Sequence, residues 1–156
     1  MEIERRFWVD GFPLNLQLVK EAVMYQGYIS TNPVVRIRST EIMGSTTYML
    51  CFKGKGTLAR EEIETEINEN LFTKLSGFIG LPLVRKDFKA YLLPGGEVLE
   101  CNLVDADTET AFFYAEIEFA SIEEAHAFKP PAFLGEEFTE DKRFSMAKYW
   151  SRKYGV

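Results

Sequence analysis

The sequence predicts an α+β protein: a closed, eight-stranded antiparallel β-barrel with a polar, charged interior and helices packed outside. Three observations lead there. Short runs rich in Val, Ile, Tyr, Phe and Leu recur at hairpin spacing, separated by turn signals such as Asp10-Gly11, Met43-Gly44 and Pro94-Gly95-Gly96. Inside these runs a charge–Ile–charge tripeptide returns four times, as Glu2-Ile3-Glu4, Arg36-Ile37-Arg38, Glu62-Ile63-Glu64 and Glu116-Ile117-Glu118. Stretches with helical periodicity are few and short.

In chain order, the first strand covers 2–9. Residues 15–23 read as a helix, with Leu16, Leu18, Val19 and Val23 at helical spacing. Strands follow over 24–29, 34–40, 46–53 and 60–67. The run 69–79 is helical, because Leu71, Phe72, Leu75, Phe78 and Ile79 fall on one face. Three more strands cover 83–92, 97–104 and 112–120. A helix over 121–128 begins at Ser121 with acidic residues in its first turn. A last helix over 139–153 begins at Thr139, and its Phe144, Ala147, Tyr149 and Trp150 are placed to cover one end of the barrel. No linker or composition shift divides the chain, so residues 1–156 are expected to form one domain.

Composition narrows the function. The chain is 46% hydrophobic, enough for a sizeable core, and carries a formal net charge of -6. That balance argues against nucleic acid as a partner, because no global positive field draws a polyanion in. No apolar run reaches the length of a membrane span, and the charged start lacks a leader's apolar stretch. Cys51 and Cys101 have no metal-type spacing and read as reduced thiols. The expected location is the cytoplasm, away from membranes.

The tripeptides carry the chemistry. Residues i and i+2 of a strand share a face, so each unit turns two like charges one way and its Ile the other. Taken singly, such a unit fits the solvated side of an ordinary strand. The full set reads differently. Glu2, Glu4 and Arg6 share a face, as do Arg36 and Arg38, Lys53, Glu62, Glu64 and Glu66, Lys86, Glu100 and Asn102, and Glu116 and Glu118. The opposite faces hold Ile3, Phe7, Ile37, Leu50, Leu99 and Ile117. A closed sheet would put the apolar face under the helices and the charges around a channel. Converging carboxylates repel when the channel is empty, and an oxygen-only donor set suits Mg2+ or Mn2+. Arg and Lys in the same wall suit phosphate oxygens. Together these describe a polyphosphate site; charge complementarity alone does not say whether anything is hydrolysed.

The ordered motifs resemble the CYTH domain, or triphosphate tunnel metalloenzyme family. They are Glu2-x-Glu4-x-Arg6, Arg36-Ile37-Arg38, "FKGKG" at 52–56, "REEIETEI" at 60–67, "AEIEF" at 115–119 and "LGEEFTEDKRF" at 134–144. The resemblance spans nearly the whole chain. It implies an eight-stranded tunnel and metal-dependent chemistry on triphosphates. By resemblance Glu2, Glu4 and Glu118 hold Mg2+ or Mn2+, and Glu62, Glu64 and Glu116 line the catalytic, water-activating side. Arg36, Arg38, Lys53, Lys86 and Arg143 bind phosphate oxygens, joined by Arg6 where the family more often has Lys. The implied activity is hydrolysis of a triphosphate, with inorganic tripolyphosphate the expected small-molecule substrate. Thiamine or nucleoside triphosphatase activity, adenylate cyclisation and a non-catalytic phosphate-binding module stay open, and a homodimer is compatible with such a fold. The sequence departs from the pattern at Phe88, where an Arg is usual, at Asn102, where an Asp is usual, and at Phe144, where Tyr is common. His126, the single histidine, reads as a surface or packing residue, and "FKGKG" lacks the pattern of a nucleotide phosphate loop.

Overall fold

A computed structural model describes residues 1–156. The elements in order are β1 (Glu2–Trp8), β2 (Gln17–Thr31), β3 (Val34–Ile42), β4 (Ser45–Lys53), β5 (Ala59–Arg60), β6 (Glu62–Ile67), α1 (Glu69–Ile79), β7 (Val84–Leu92), β8 (Val98–Val104), β9 (Phe112–Glu118), α2 (Ile122–Ala127) and α3 (Met146–Tyr154). One nine-stranded antiparallel sheet runs β5-β1-β9-β8-β7-β2-β3-β4-β6. Its two terminal strands are adjacent in sequence, separated only by Glu61. The segment 59–67 therefore pairs with β1 at one end and β4 at the other, and the sheet closes into a barrel. The extra strand relative to the eight expected is this one segment divided at Glu61.

The β1–β5 seam is thin. It consists of the pairs Glu2–Arg60 and Ile3–Ala59, with one more backbone bond from Glu4 N to Leu58 O at 3.0 Å.

Residues 15–23 do not form a helix; from Gln17 onward they are the first half of β2. The pairing partner decides this, because Gln17 to Gln26 lie against β7 from Leu92 to Val84. A register shift between Leu18 and Lys20 breaks strict alternation, which hid the two-residue period. Residues 17–21 are exposed, so a helical apolar stripe there would have nothing to cover.

The last helix begins at Met146 with Ser145 as its cap, seven residues after Thr139. Thr139 is buried and engaged elsewhere: its hydroxyl accepts from Arg6 N at 3.0 Å and donates to Glu137 at 2.6 Å. The α1 and α2 helices lie where expected, capped by Asn68 and Ser121.

The apolar face of the barrel is outside. One cluster on it includes Phe7, Leu99, Cys101, Ala115 and Ile117. A second lies at one end of the barrel, where Tyr28, Val84, Val104, Tyr114 and Phe138 gather around Trp150 of α3, and its Tyr28 and Tyr114 also line the interior. Gly27 lets α3 and the β6–β7 region approach β2; a Cβ there would lie 2.5 Å from Leu83 Cδ2 and 3.2 Å from Trp150. Polar contacts fasten α3. Lys153 Nζ lies 2.7 Å from Asp105 Oδ2, the Tyr149 hydroxyl donates to the same carboxylate, and the Tyr154 hydroxyl donates to Pro82 O at 2.6 Å.

Candidate active site: a charged tunnel

The inward face of the strands lines a cavity of about 180 Å3 inside the barrel. Strand alternation brings Glu2 and Glu4 from β1, Arg36 and Arg38 from β3, Lys53 from β4, Glu62 and Glu64 from β6, Lys86 from β7, and Glu116 and Glu118 from β9 into it. Arg6 also reaches the lining.

Like charges oppose each other in register, at Glu4–Glu118 and at Glu100–Glu116. Such pairs are unfavourable unless a proton or cation intervenes. Burial pushes the Glu4 carboxyl well above the ordinary carboxylate range, and the neighbouring Glu116 and Glu2 add to the shift. Burial alone would raise Glu116 as well, but the hydrogen bond from Glu4 and the charges of Lys86 and Lys53 hold it below its usual value. The two carboxyls are therefore pushed apart, Glu4 upward and Glu116 downward, by their shared contact and the nearby lysines. Glu100 is pushed up to about 8 by burial, then by Glu116 and Glu118. The oxygens of Glu2, Glu4 and Glu118 can approach within 4.8 Å of one another, and so can the donors of Cys51, Glu62 and Glu64.

The cations answer this charge only in part. Lys53 Nζ lies 3.3 Å from Glu2 and 4.0 Å from Glu62. Deeper in, Arg36 is 6% exposed and its Nε has no hydrogen-bond partner; Arg38 Nε is likewise buried and unpartnered. Lys86 is buried with its Nζ 3.1 Å from the Tyr114 hydroxyl. Burial lowers Lys86 to about 7, and Arg38, Arg36 and Lys53 add repulsion. Buried guanidinium nitrogens facing a cavity without a carboxylate on them favour an anionic ligand.

Two expected phosphate ligands are used otherwise. The Arg6 guanidinium donates to Phe144 O at 3.1 Å and Thr139 O at 3.1 Å, and its ring contact is Phe138 at 4.8 Å. Its nitrogens fasten the segment leading into α3. Arg143 does not line the cavity; its side chain is 90% exposed and clasps Asp141 at 2.8 Å.

Several lining residues were absent from the expected set. Arg60 sits 3.4 Å from Glu2, and its parity with Glu62 and Glu64 could have revealed it. Lys20 was hidden inside the misread helix. Glu100 and Asn102 lie on the inner face as their parity required. Phe88 pairs with Asn102 across β7–β8 and Asn102 with Tyr114 across β8–β9, so both departures from the family pattern stand in one row. Phe88 packs with Ala22, Met24 and Ala90, and Asn102 Oδ1 has no partner.

No family model matches the chain. Comparison with curated proteins finds an inorganic triphosphatase of Nitrosomonas europaea that is 35% identical over 143 residues, covering 92% of each chain. Among solved structures, the crystal structure of the inorganic triphosphatase NE1496 is 30% identical, covers 96% of this chain and 93% of that one, and superposes with a TM-score of 0.66. HpAC1 from Hippeastrum shares the fold at a TM-score of 0.54 and 16% identity, over 81% of this chain and 83% of that one. With a relative at 35% identity across nearly its whole length, and a closed antiparallel barrel whose charges face inward, this chain belongs to the CYTH, or triphosphate tunnel, family.

Proposed function

We propose that the protein hydrolyses triphosphates, with inorganic tripolyphosphate as substrate. The observation that carries this is the pairing, inside one cavity, of buried unpartnered cations on β3 with crowded carboxylates on β1 and β9. Arg36, Arg38, Lys53 and Lys86 bind phosphate oxygens and offset the charge on the transferred group and the departing diphosphate. Water attacks the terminal phosphorus as the bond to the bridging oxygen breaks, giving orthophosphate and pyrophosphate. The proton of the water passes to a carboxylate oxygen among Glu62, Glu64 and Glu116.

Glu2, Glu4 and Glu118 fit Mg2+ or Mn2+, because their oxygens cluster and the repulsion between them is relieved by a cation. When bound, such an ion supplies positive charge to phosphate oxygens. Arg6 serves in this reading through the 138–144 segment, and Arg143 stays outside the binding set.

The test is phosphate release from tripolyphosphate, ATP and thiamine triphosphate with Mg2+ or Mn2+, beside a Glu4→Gln control. Tripolyphosphate should rank first, and the control should lose the activity. A preference for ATP or thiamine triphosphate would overturn the substrate. The Phe88–Asn102 pair favours a second reading, a tunnel that holds triphosphate without turnover. Absence of release from all three, with a metal-dependent rise in Tm on adding tripolyphosphate, would select it.

A further inference from the structure

The tunnel has a second kind of donor besides its side chains. Its lining includes Ser145, Met146 and Ala147, which are the N-cap and first two residues of the nine-residue α3. A helix leaves its first N–H groups without intrahelical partners. Here the Ser145 hydroxyl takes Lys148 N at 3.1 Å and the Ser145 carbonyl takes Tyr149 N at 2.9 Å. The N–H groups of Met146 and Ala147 have no acceptor in the protein. The first turn carries no acidic side chain that would lie over them.

An independent observation points to an anion in the same cavity. Arg36 lines the same cavity, is 6% exposed, and has an unpartnered Nε. It opposes Tyr28 in the β2–β3 register, and the Tyr28 ring lies 5.8 Å from that of Trp150 in α3. Met146 and Ala147 pack against the cluster that contains Tyr28, so Arg36 and the start of α3 line the same end of one cavity. That end is fixed before any ligand arrives: Arg6 donates to Phe144 O, Arg152 Nη2 donates to Arg143 O at 2.7 Å, and Lys153 holds Asp105.

We propose that the N-terminus of α3 is a phosphate seat, at which the backbone N–H groups of Met146 and Ala147 and the guanidinium of Arg36 receive one phosphate group of the substrate. Backbone amides at a helix start suit this role, because the donors and the helix dipole both point at the anion. The seat rests on the reading of the tunnel as a triphosphate site. It adds that the closing helix takes part in binding.

The experiment compares Met146→Pro with Met146→Ala. Both lose the methionine side chain, and only the proline loses the N–H. Proline suits the first helical position, and Ser145 already has the extended backbone preferred before it, at φ -158 and ψ 164. Calorimetry measures the dissociation constants of tripolyphosphate and of inorganic phosphate, and thermal unfolding measures Tm. The expected result is about tenfold weaker tripolyphosphate binding in Met146→Pro than in Met146→Ala, at equal Tm. Equal affinities would overturn the seat while leaving the triphosphate site intact. A wild-type protein that binds neither compound would overturn the seat and the triphosphate site together. If the proline lowers Tm, an ester in place of the Ser145–Met146 amide removes the same N–H, and the same two affinity outcomes decide.

Discussion

Glu100→Gln should make the metal-free protein more stable, and increasingly so as pH rises from 5 to 7. Glu100 opposes Glu116 across β8–β9, and its carboxyl is pushed up to about 8 by burial, then by Glu116 and Glu118. An unfolded glutamate titrates near 4.3. Between those values the folded protein holds a proton that the unfolded chain has released, so stability falls as pH rises through the window. The slope is at most about 1.4 kcal/mol per pH unit, giving an upper bound of roughly 2–3 kcal/mol between pH 5 and 7. Solvent in the tunnel screens part of this. For a chain of this size each kcal/mol moves Tm by about 2–4 °C, so the variant should gain several degrees over that range. Lys86 works the other way, but above the window: lowered to about 7, it makes stability rise from there toward the ordinary lysine value. The assay is thermal unfolding of both proteins in EDTA at pH 5, 6 and 7. A constant Tm difference across that range would refute the reasoning, because it would mean Glu100 ionises as freely in the fold as outside it.

Arg36→Ala should weaken tripolyphosphate binding by tenfold or more, about 1.5–3 kcal/mol for a charge-assisted contact, read by calorimetry. Arg6→Lys should cost about 1–2 kcal/mol of stability, because an ammonium cannot span the Phe144 and Thr139 carbonyls as the guanidinium does. Amide exchange in 138–145 should quicken in that variant while phosphate affinity falls less than in Arg36→Ala. Gly27→Ala should destabilise by about 1–3 kcal/mol in denaturant unfolding, since its Cβ would meet Leu83 at 2.5 Å.

Much of the barrel was legible because its signal is local. Each charge–Ile–charge unit assigns its own face, and the structure turns Glu2, Glu4, Arg36, Arg38, Glu62, Glu64, Glu116 and Glu118 into one cavity. What escaped depended on distant partners. The start of β2 took its conformation from β7, and a register shift at Leu18–Lys20 disguised its period, so Lys20 was missed with it. The fate of Arg6 was set by carbonyls more than 130 residues away, beyond any spacing rule. Arg143 sits in a motif of the family but its guanidinium found Asp141 two residues earlier, a local pairing that spacing along the chain could have suggested. The start of α3 was misplaced because Thr139 makes a persuasive cap in isolation, and only the fold shows its hydroxyl already taken by β1.

The thin seam between β1 and β5 has a dynamic consequence. A hoop with one narrow joint opens there first, and native-state breathing should concentrate at Ile3, Glu4, Ala59 and Arg60 rather than at the long β2–β7 and β3–β4 ladders. The joint also carries Glu2, whose carboxylate meets Arg60 at 3.4 Å and Lys53 at 3.3 Å. Whatever engages these groups acts as a rivet across the joint. Occupancy of the tunnel should therefore favour closure of the hoop, and amide exchange along this one line should slow when the tunnel is loaded.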